Sequence, residues 1–370
     1  MHLSYWEIKN WFTDIDYTIV GSGIVGLHCA LRLRERFPES RILILEKGML
    51  PQGASTKNAG FACFGSISEI LDDLKSHSEE EVISLIKKRW SGLQLLRKRL
   101  GDVAIDFKPY GGYELFLNED ETSFNGCVAR IPFINEILKP IFKADVFNKQ
   151  IDRFGFGGIQ EYSIYNPFEA QIDTGNMMQA LLKLAVSENM LILNQQTVNA
   201  FYDNGNGVEV AIGDFSFTTK KLLFATNAFA SALTKGAVKP ARAQVLITKP
   251  IENLDIKGTF HLDKGYYYFR NIGNRILFGG GRNLDFETET TTEFGQTQIV
   301  QNKLETLLKE VILPGRDFEI EHRWSGIMGM GSSKNPIVEQ LSENVYCGVR
   351  LGGMGVAIGS LIGTELADLI

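Results

Sequence analysis

Cysteine is scarce in this chain: there are four, Cys29, Cys63, Cys127 and Cys347, far apart in the sequence. With no CxxC and no Cys/His pair at ligand spacing, both a disulfide framework and a structural zinc site are excluded. Long apolar runs are missing too. No stretch of 18 uncharged apolar residues occurs, and the N-terminal MHLSYWEIKNWF carries neither a basic segment nor a small-residue cleavage site. A membrane span and secretion are therefore not expected, and the cytoplasm is the default location. Positive charge is not in excess either, since 38 Lys and Arg face 44 Asp and Glu for a net charge of −6. No global field exists to draw in nucleic acid or an anionic membrane.

What is present is a globular composition. The 370 residues are 44% hydrophobic and 22% charged, a length that predicts two to three domains with a sizeable core. Glycine is abundant, 37 residues, and sixteen of them fall in 21–65 and 326–363. Such clustering points to special backbone demands at two places rather than to general looseness.

The first cluster opens on a βαβ pattern. DYTIV reads as a buried strand, Gly21-Ser22-Gly23-Ile24-Val25-Gly26 follows, a helix runs from Ile24 to Phe37, and a second strand RILIL ends at Glu46. In that setting Gly21 permits the tight turn and Gly23 lets backbone N–H groups approach a pyrophosphate. Gly26 with Ala30 lets the helix lie on the sheet, and Glu46, next to Lys47, is placed to accept hydrogen bonds from a ribose. The second cluster, Gly352-Gly353-Met354-Gly355-Val356, precedes a helix that runs to the end of the chain, and its exposed N–H groups form a second anion site.

Between these ends, ASTKNAGF at 54–61, LLFATNAF at 222–229, ARAQVLITKP at 241–250, YYYFRNIGNRILFGGGR at 266–282 and RWSG followed by NVYCGVRLGGMGV together resemble the D-amino-acid oxidase superfamily of FAD enzymes. In its motifs the chain looks most like the gamma-glutamylputrescine oxidoreductase and glycine/sarcosine oxidase branch. The resemblance implies an α/β fold, with a Rossmann-like FAD-binding domain (1–76, 173–234 and 323–370) interleaved with a substrate domain on an antiparallel sheet (77–172 and 235–322). It implies non-covalent FAD, since the cysteine or histidine that attaches flavin covalently in relatives is missing. Ser55, Thr56, Asn58, Ala59, Gly60 and Phe61 would line the stretch from pyrophosphate to flavin, Val198 the adenine side, and Thr226 and Asn227 would close over the cofactor.

The resemblance further implies oxidation of a CH–NH bond of a small amine or amino-acid-derived substrate, by hydride transfer to flavin N5 and hydrolysis of the imine. O2 or an unassigned acceptor would take up the electrons, because the basic residue of sarcosine oxidases falls near Leu277. The arginine that holds a substrate carboxylate in many relatives, four residues after the tryptophan of WxGxR, is Met328 here, which favours a secondary amine, an ω-amino compound or a polyamine conjugate. A 2-hydroxy-acid dehydrogenase and a non-catalytic FAD-binding protein are the alternatives. Strand alternation puts Tyr266 and Tyr268 on one face and Tyr267 and Phe269 on the other. Tyr268 toward the substrate, Arg270 on its carboxylate and Trp324 beside the flavin are the expected catalytic residues, and no metal is expected. His261 and His322 are the histidines in range of the pocket. Helix 79–100 reads as carrying a solvated basic face that includes Arg89, Thr174 as the cap of the helix to Asn189, and ETETTTEF at 287–294 as a mobile loop.

Overall fold

The computed structural model describes residues 2–370; Met1, the first residue of the expected cofactor domain, lies outside the described residues. Two eight-stranded sheets organise the chain. The first is built on the strand Ile15–Val20, which pairs in parallel with Ile42–Leu45 on one side and with Phe215–Phe224 on the other. Leu191–Leu193 and Val345–Val349 extend it in parallel on either side, and Ile337–Ser342 adds an antiparallel strand beyond Val345–Val349. Strands buried on both faces read as continuous apolar runs, and Ile42–Leu45 is wholly buried. The meander Val198–Asp203, Val208–Ile212 and Phe215–Phe224 forms by antiparallel pairing.

The second sheet runs in the order Ile320–Met330, Lys239–Thr248, Arg275–Gly280, Tyr267–Ile272, Thr259–Leu262, Gly112–Glu114, Tyr162–Asn166 and Asn148–Ile151. Ile320–Met330 pairs along its length with Lys239–Thr248. The border expected at 323 therefore cuts a continuous strand of the second sheet. Just past the border expected at 76, helix Glu79–Leu100 buries Leu85, Leu93 and Leu96 in the same core as Ile19, Ile42 and Ile44 of the first sheet. That helix starts on a capping box between Ser78 and Glu81, which satisfies two of its free N–H groups. Its basic face is not entirely solvated: Arg89 is 3% exposed and donates to the Phe64 carbonyl at 2.8 Å.

Three helices meet almost backbone to backbone. A Cβ on Gly363 of helix Gly355–Asp368 would lie 2.5 Å from the Val25 carbonyl in helix Ile24–Arg36, and one on Gly92 would lie 2.3 Å from that of Ala357. Helix Thr174–Ser187 is capped by Asp173, whose carboxylate accepts from the Asn176 N–H at 2.8 Å. Thr174 instead donates to Asn58 Oδ1 at 2.8 Å, so the cap lies one residue earlier than the sequence suggested. No helix among the described residues is long and apolar enough to cross a membrane.

Candidate active site

One cleft of about 1400 Å³ runs from the carboxyl ends of the parallel strands to the face of the second sheet. Two helices present their N-termini to it, Ile24–Arg36 and Gly355–Asp368, and neither is capped by the side chain of its own N-cap residue. Uncapped N-termini leave N–H groups free and carry partial positive charge, which suits anions. At the first, Gly21 adopts φ +103°, open to glycine but strained for other residues. Gly23 faces Ser55, whose Oγ accepts from the Ile24 N–H at 2.9 Å.

Glu46 holds this turn together. Its Oε2 accepts from the Ser22 N–H at 3.0 Å and the Ser22 hydroxyl at 2.9 Å, and its Oε1 from the Gly48 N–H at 3.0 Å. Most of the carboxylate's acceptor capacity thus serves the loop itself. In Glu46→Gln the amide must turn its NH2 toward one of these N–H donors, so FAD affinity is expected to fall about 10- to 100-fold, as for lost hydrogen bonds to a charged group. Flavin-fluorescence titration of the apoprotein measures this, and unchanged affinity would show that the loop does not depend on the carboxylate.

The turn segment 54–61 crosses the middle of the cleft and is stapled from below. Asn58 Nδ2 donates to the Ser55 carbonyl at 2.9 Å, Gly60 N–H donates to Asn58 Oδ1 at 2.9 Å, and Trp324 Nε1 donates to the Lys57 carbonyl at 2.9 Å. Ser55, Asn58, Ala59 and Phe61 line the cleft, as do Gly21, Gly23, Ile24, Val25, Glu46, Lys47, Val198, Thr226, Asn227 and 352–356. Gly26, Thr56 and Gly60 do not. Gly26 packs against the Gly21 carbonyl, Thr56 donates to the Pro51 carbonyl at 2.7 Å, and Gly60 presses on Ile172 and Arg270. Asn227 works on the protein as well, since its Oδ1 accepts from the N–H groups of Arg350 and Leu351 at 3.1 and 3.2 Å. The Thr226 hydroxyl is buried with no partner among the described residues. An orphaned hydroxyl, a glycine turn and two uncapped helices on one cleft fit a dinucleotide whose phosphates and ring both need donors.

At the far end Tyr266 and Tyr268 line the cleft, while Tyr267 and Phe269 enter the core of the second sheet. Tyr268 meets Phe61 edge to face at 5.6 Å, and burial pushes its phenol up to about 12, so it is neutral. Arg270 is not in the cleft. It is 6% exposed beneath Gly60 and donates to Gln171 Oε1 at 3.2 Å, which corrects its expected role on a substrate carboxylate. The alternation of the strand is the reason: Arg270 shares the parity of Tyr268 but lies two residues further, where 54–61 covers the sheet. Trp324 also stays outside, stacked on His322 at 5.8 Å, and so supports the turn segment from behind. Leu277 is buried against Ala59 and Val245.

Sequence reading missed the pairing of His261 with Glu169, 92 positions apart, at 2.8 Å from Nε2 to Oε2. Cys63 Sγ and these two donor atoms lie within 4.8 Å of one another. Burial and the neighbouring Glu169 carboxylate hold the thiol protonated, and His261 and Glu169 form a hydrogen bond beside it that becomes an ion pair when the imidazole is protonated. Burial pulls the His261 pKa down, but Glu169 in contact and Glu114 and Glu69 nearby outweigh it and raise it above the usual 6.5. A raised histidine pKa stabilises the fold fully below the unfolded value, and that stabilisation is lost as pH climbs through the folded value. The stability gap between the wild type and His261→Gln is therefore expected to be widest below about pH 6.5 and to narrow at alkaline pH. Melting curves of both proteins across pH test this; a gap independent of pH would rule the ion pair out.

Fold and cleft together fit a dinucleotide-dependent oxidoreductase built on two eight-stranded sheets. The chain belongs to the DAO family of FAD dependent oxidoreductases, whose profile matches residues 16–369. FAD is its cofactor. It is similar to the probable oxidoreductase OrdL of Haemophilus influenzae, 21% identical over 96% of this chain and 82% of the relative. It is also similar to the gamma-glutamylputrescine oxidoreductase of Escherichia coli, 24% identical over 96% of this chain and 83% of the relative. Among solved structures, L-proline dehydrogenase from P. horikoshii superposes with a TM-score of 0.74 at 18% identity, covering 96% of this chain and 93% of its own. Glycine oxidase from Bacillus cereus does so with a TM-score of 0.74 at 17% identity, covering 96% of each.

Proposed function

We propose that the protein oxidises a CH–NH bond of a small amine or amino-acid-derived compound and releases the imine to water for hydrolysis. The observation that carries this reading is continuity: the cofactor end and the aromatic end are one cleft, so a molecule lying against Tyr266 and Tyr268 shares a wall with the FAD site. The relatives named above act, by their names, on gamma-glutamylputrescine, proline and glycine, all nitrogen compounds. Bound without a covalent link, FAD supplies the two-electron acceptor for the hydride.

The chain's own residues position and desolvate. Phe61, Tyr266, Tyr268 and Phe294 form aromatic walls that exclude water and hold a small substrate in place. The neutral Tyr268 hydroxyl, without a hydrogen bond to any described residue, is a free donor toward the substrate. Helix N-termini on the opposite side favour negative charge where the cofactor accumulates it.

Anaerobic addition of amines, N-methyl amino acids and hydroxy acids to the purified holoenzyme tests the reading, and amines are expected to bleach the visible flavin band. Bleaching by hydroxy acids alone would replace it with a 2-hydroxy-acid dehydrogenase, and no bleaching by any of them with a protein that only binds FAD. Acid precipitation is expected to release all of the yellow colour.

A further inference from the structure

In the middle of the second sheet, His261 of strand Thr259–Leu262 lies directly opposite Tyr268 on one side and Glu114 on the other. Directly opposed residues project from the same face, so the imidazole stands beside Tyr268 on the side that lines the cleft. Phe61 meets it edge to face at 5.3 Å. The side chain is nearly buried, and its two nitrogens differ. Nε2 is held by Glu169 at 2.8 Å, whereas Nδ1 has no partner among the described residues and is not sealed off from the cleft.

Glu169 is itself fixed in place. Its Oε2 also accepts from Thr259 Oγ1 at 2.9 Å, and its Oε1 accepts from Asn166 Nδ2 at 3.4 Å. Gly112 makes the room, since a Cβ there would collide with the carboxylate. With that carboxylate accepting from Nε2–H, the neutral imidazole presents the lone pair of Nδ1 as a proton acceptor. The Cys63 thiol does not compete for it: burial and Glu169 keep its proton on, and Sγ faces Met354 Sδ at 3.8 Å. A positive charge on the ring is accommodated as well, because Glu169, Glu114 and Glu69 outweigh the burial that opposes it. Of these, Glu69 is kept ionised against burial by Lys334 and Arg89, and burial raises the Glu114 pKa against hydrogen bonds from Ser68 and Ser66.

An alkylamine, with a pKa of about 10, arrives as an ammonium ion. Its nitrogen then has no lone pair to support loss of hydride from the adjacent carbon. We propose that His261, held by Glu169, takes that proton. The ammonium N–H bond breaks, the proton passes to Nδ1, and the freed electron pair becomes the second C–N bond of the protonated imine as hydride leaves the carbon for FAD. His261 afterwards returns its proton to water in the cleft. The inference rests on the amine-oxidising reading and adds to it the residue that makes the substrate reactive at neutral pH.

Two measurements on the yellow holoenzyme test it. Nitrogen NMR of protein carrying isotope-labelled histidine, with His261→Gln identifying the signal, is expected to show Nδ1 bare and Nε2 protonated above the His261 pKa. A proton on Nδ1 of the neutral ring overturns the inference, because no acceptor would then face the substrate. The second measurement follows anaerobic flavin reduction by glycine, sarcosine, L-proline and putrescine as pH is varied. For an amine that reduces wild type, His261→Gln is expected to slow reduction about 100-fold or more near pH 7. The loss is expected to shrink toward about pH 10, where the amine sheds its own proton. Glu169→Gln, which keeps the base and removes a facing charge, is expected to move the acid limb of the profile to lower pH. A loss of the same size at every pH, or an unmoved limb in Glu169→Gln, overturns the role of His261. Reduction by none of the amines overturns the amine-oxidising reading instead, and the nitrogen signals still decide whether Nδ1 is free to take a proton.

Discussion

Alanine in place of Gly26 is expected to give a protein that is colourless and less stable by about 3 kcal/mol, at the upper end of what overpacking costs. The added Cβ would lie 1.9 Å from the Gly21 carbonyl oxygen and 3.3 Å from Ile19 Cγ2. The nearer atom is backbone, so no rotamer change relieves the clash. Gly21 cannot retreat easily either, because its N–H donates to Leu45 at 2.8 Å and its far side abuts the Ala225 carbonyl. The helix or the turn must move, and the turn is the phosphate end of the FAD site. The ratio of flavin to protein absorbance and the denaturant midpoint measure both effects. Gly126→Ala is the control, since it lies inside helix Glu121–Phe142 with nothing within 4 Å of the new Cβ. It is expected to be neutral or stabilising by about 0.5–1 kcal/mol. A yellow Gly26→Ala protein with the wild-type midpoint would sink the close-packing argument.

Removing the Glu289 carboxylate is expected to cost about 3–5 kcal/mol, the range for leaving a buried charge without its partner. Glu289 is 1% exposed and receives Arg242 Nε at 2.8 Å, Gln244 Nε2 at 2.8 Å and Thr297 Oγ1 at 2.9 Å. In Glu289→Ala the Arg242 guanidinium stays behind, nearly buried. The damage is expected to reach the cleft, because Thr292, Glu293 and Phe294 of the same segment line it. Faster amide exchange over 290–295 and a raised KM would accompany the lower midpoint. A loss of less than about 1 kcal/mol, the scale of an ordinary surface change, would contradict the buried-pair assignment.

This segment shows where sequence reading runs out. ETETTTEF has the composition of a mobile loop, and nothing in its spacing distinguishes Glu289 from Glu287 or Glu293. Only the approach of Arg242 and Gln244, more than forty residues earlier, makes one of the three a buried anchor. Arg89 carries the same lesson, as its helix periodicity is clear but its partner, the Phe64 carbonyl, is set by tertiary packing. Local patterns did far better where the physics is local. The glycine turn, its helix and Glu46 follow from steric rules within one βαβ unit, and the face shared by Tyr266 and Tyr268 follows from strand alternation. Arg270 obeys that alternation too, yet the turn at 54–60 covers it, and a cover from another part of the chain leaves no trace in the strand itself.

The near backbone-to-backbone packing of helices Ile24–Arg36 and Gly355–Asp368 carries a consequence for how the protein is made. More than 300 residues separate these two helices in the chain, so no nascent chain can finish the FAD cleft until the later one, Gly355–Asp368, has been made. Contacts between such distant segments are slow to form, and unfinished chains expose apolar surface that invites aggregation. Supply of FAD during expression is therefore expected to help only chains that have reached residue 368. Late capture of this kind makes the cofactor a final fastener of the fold rather than a template for it.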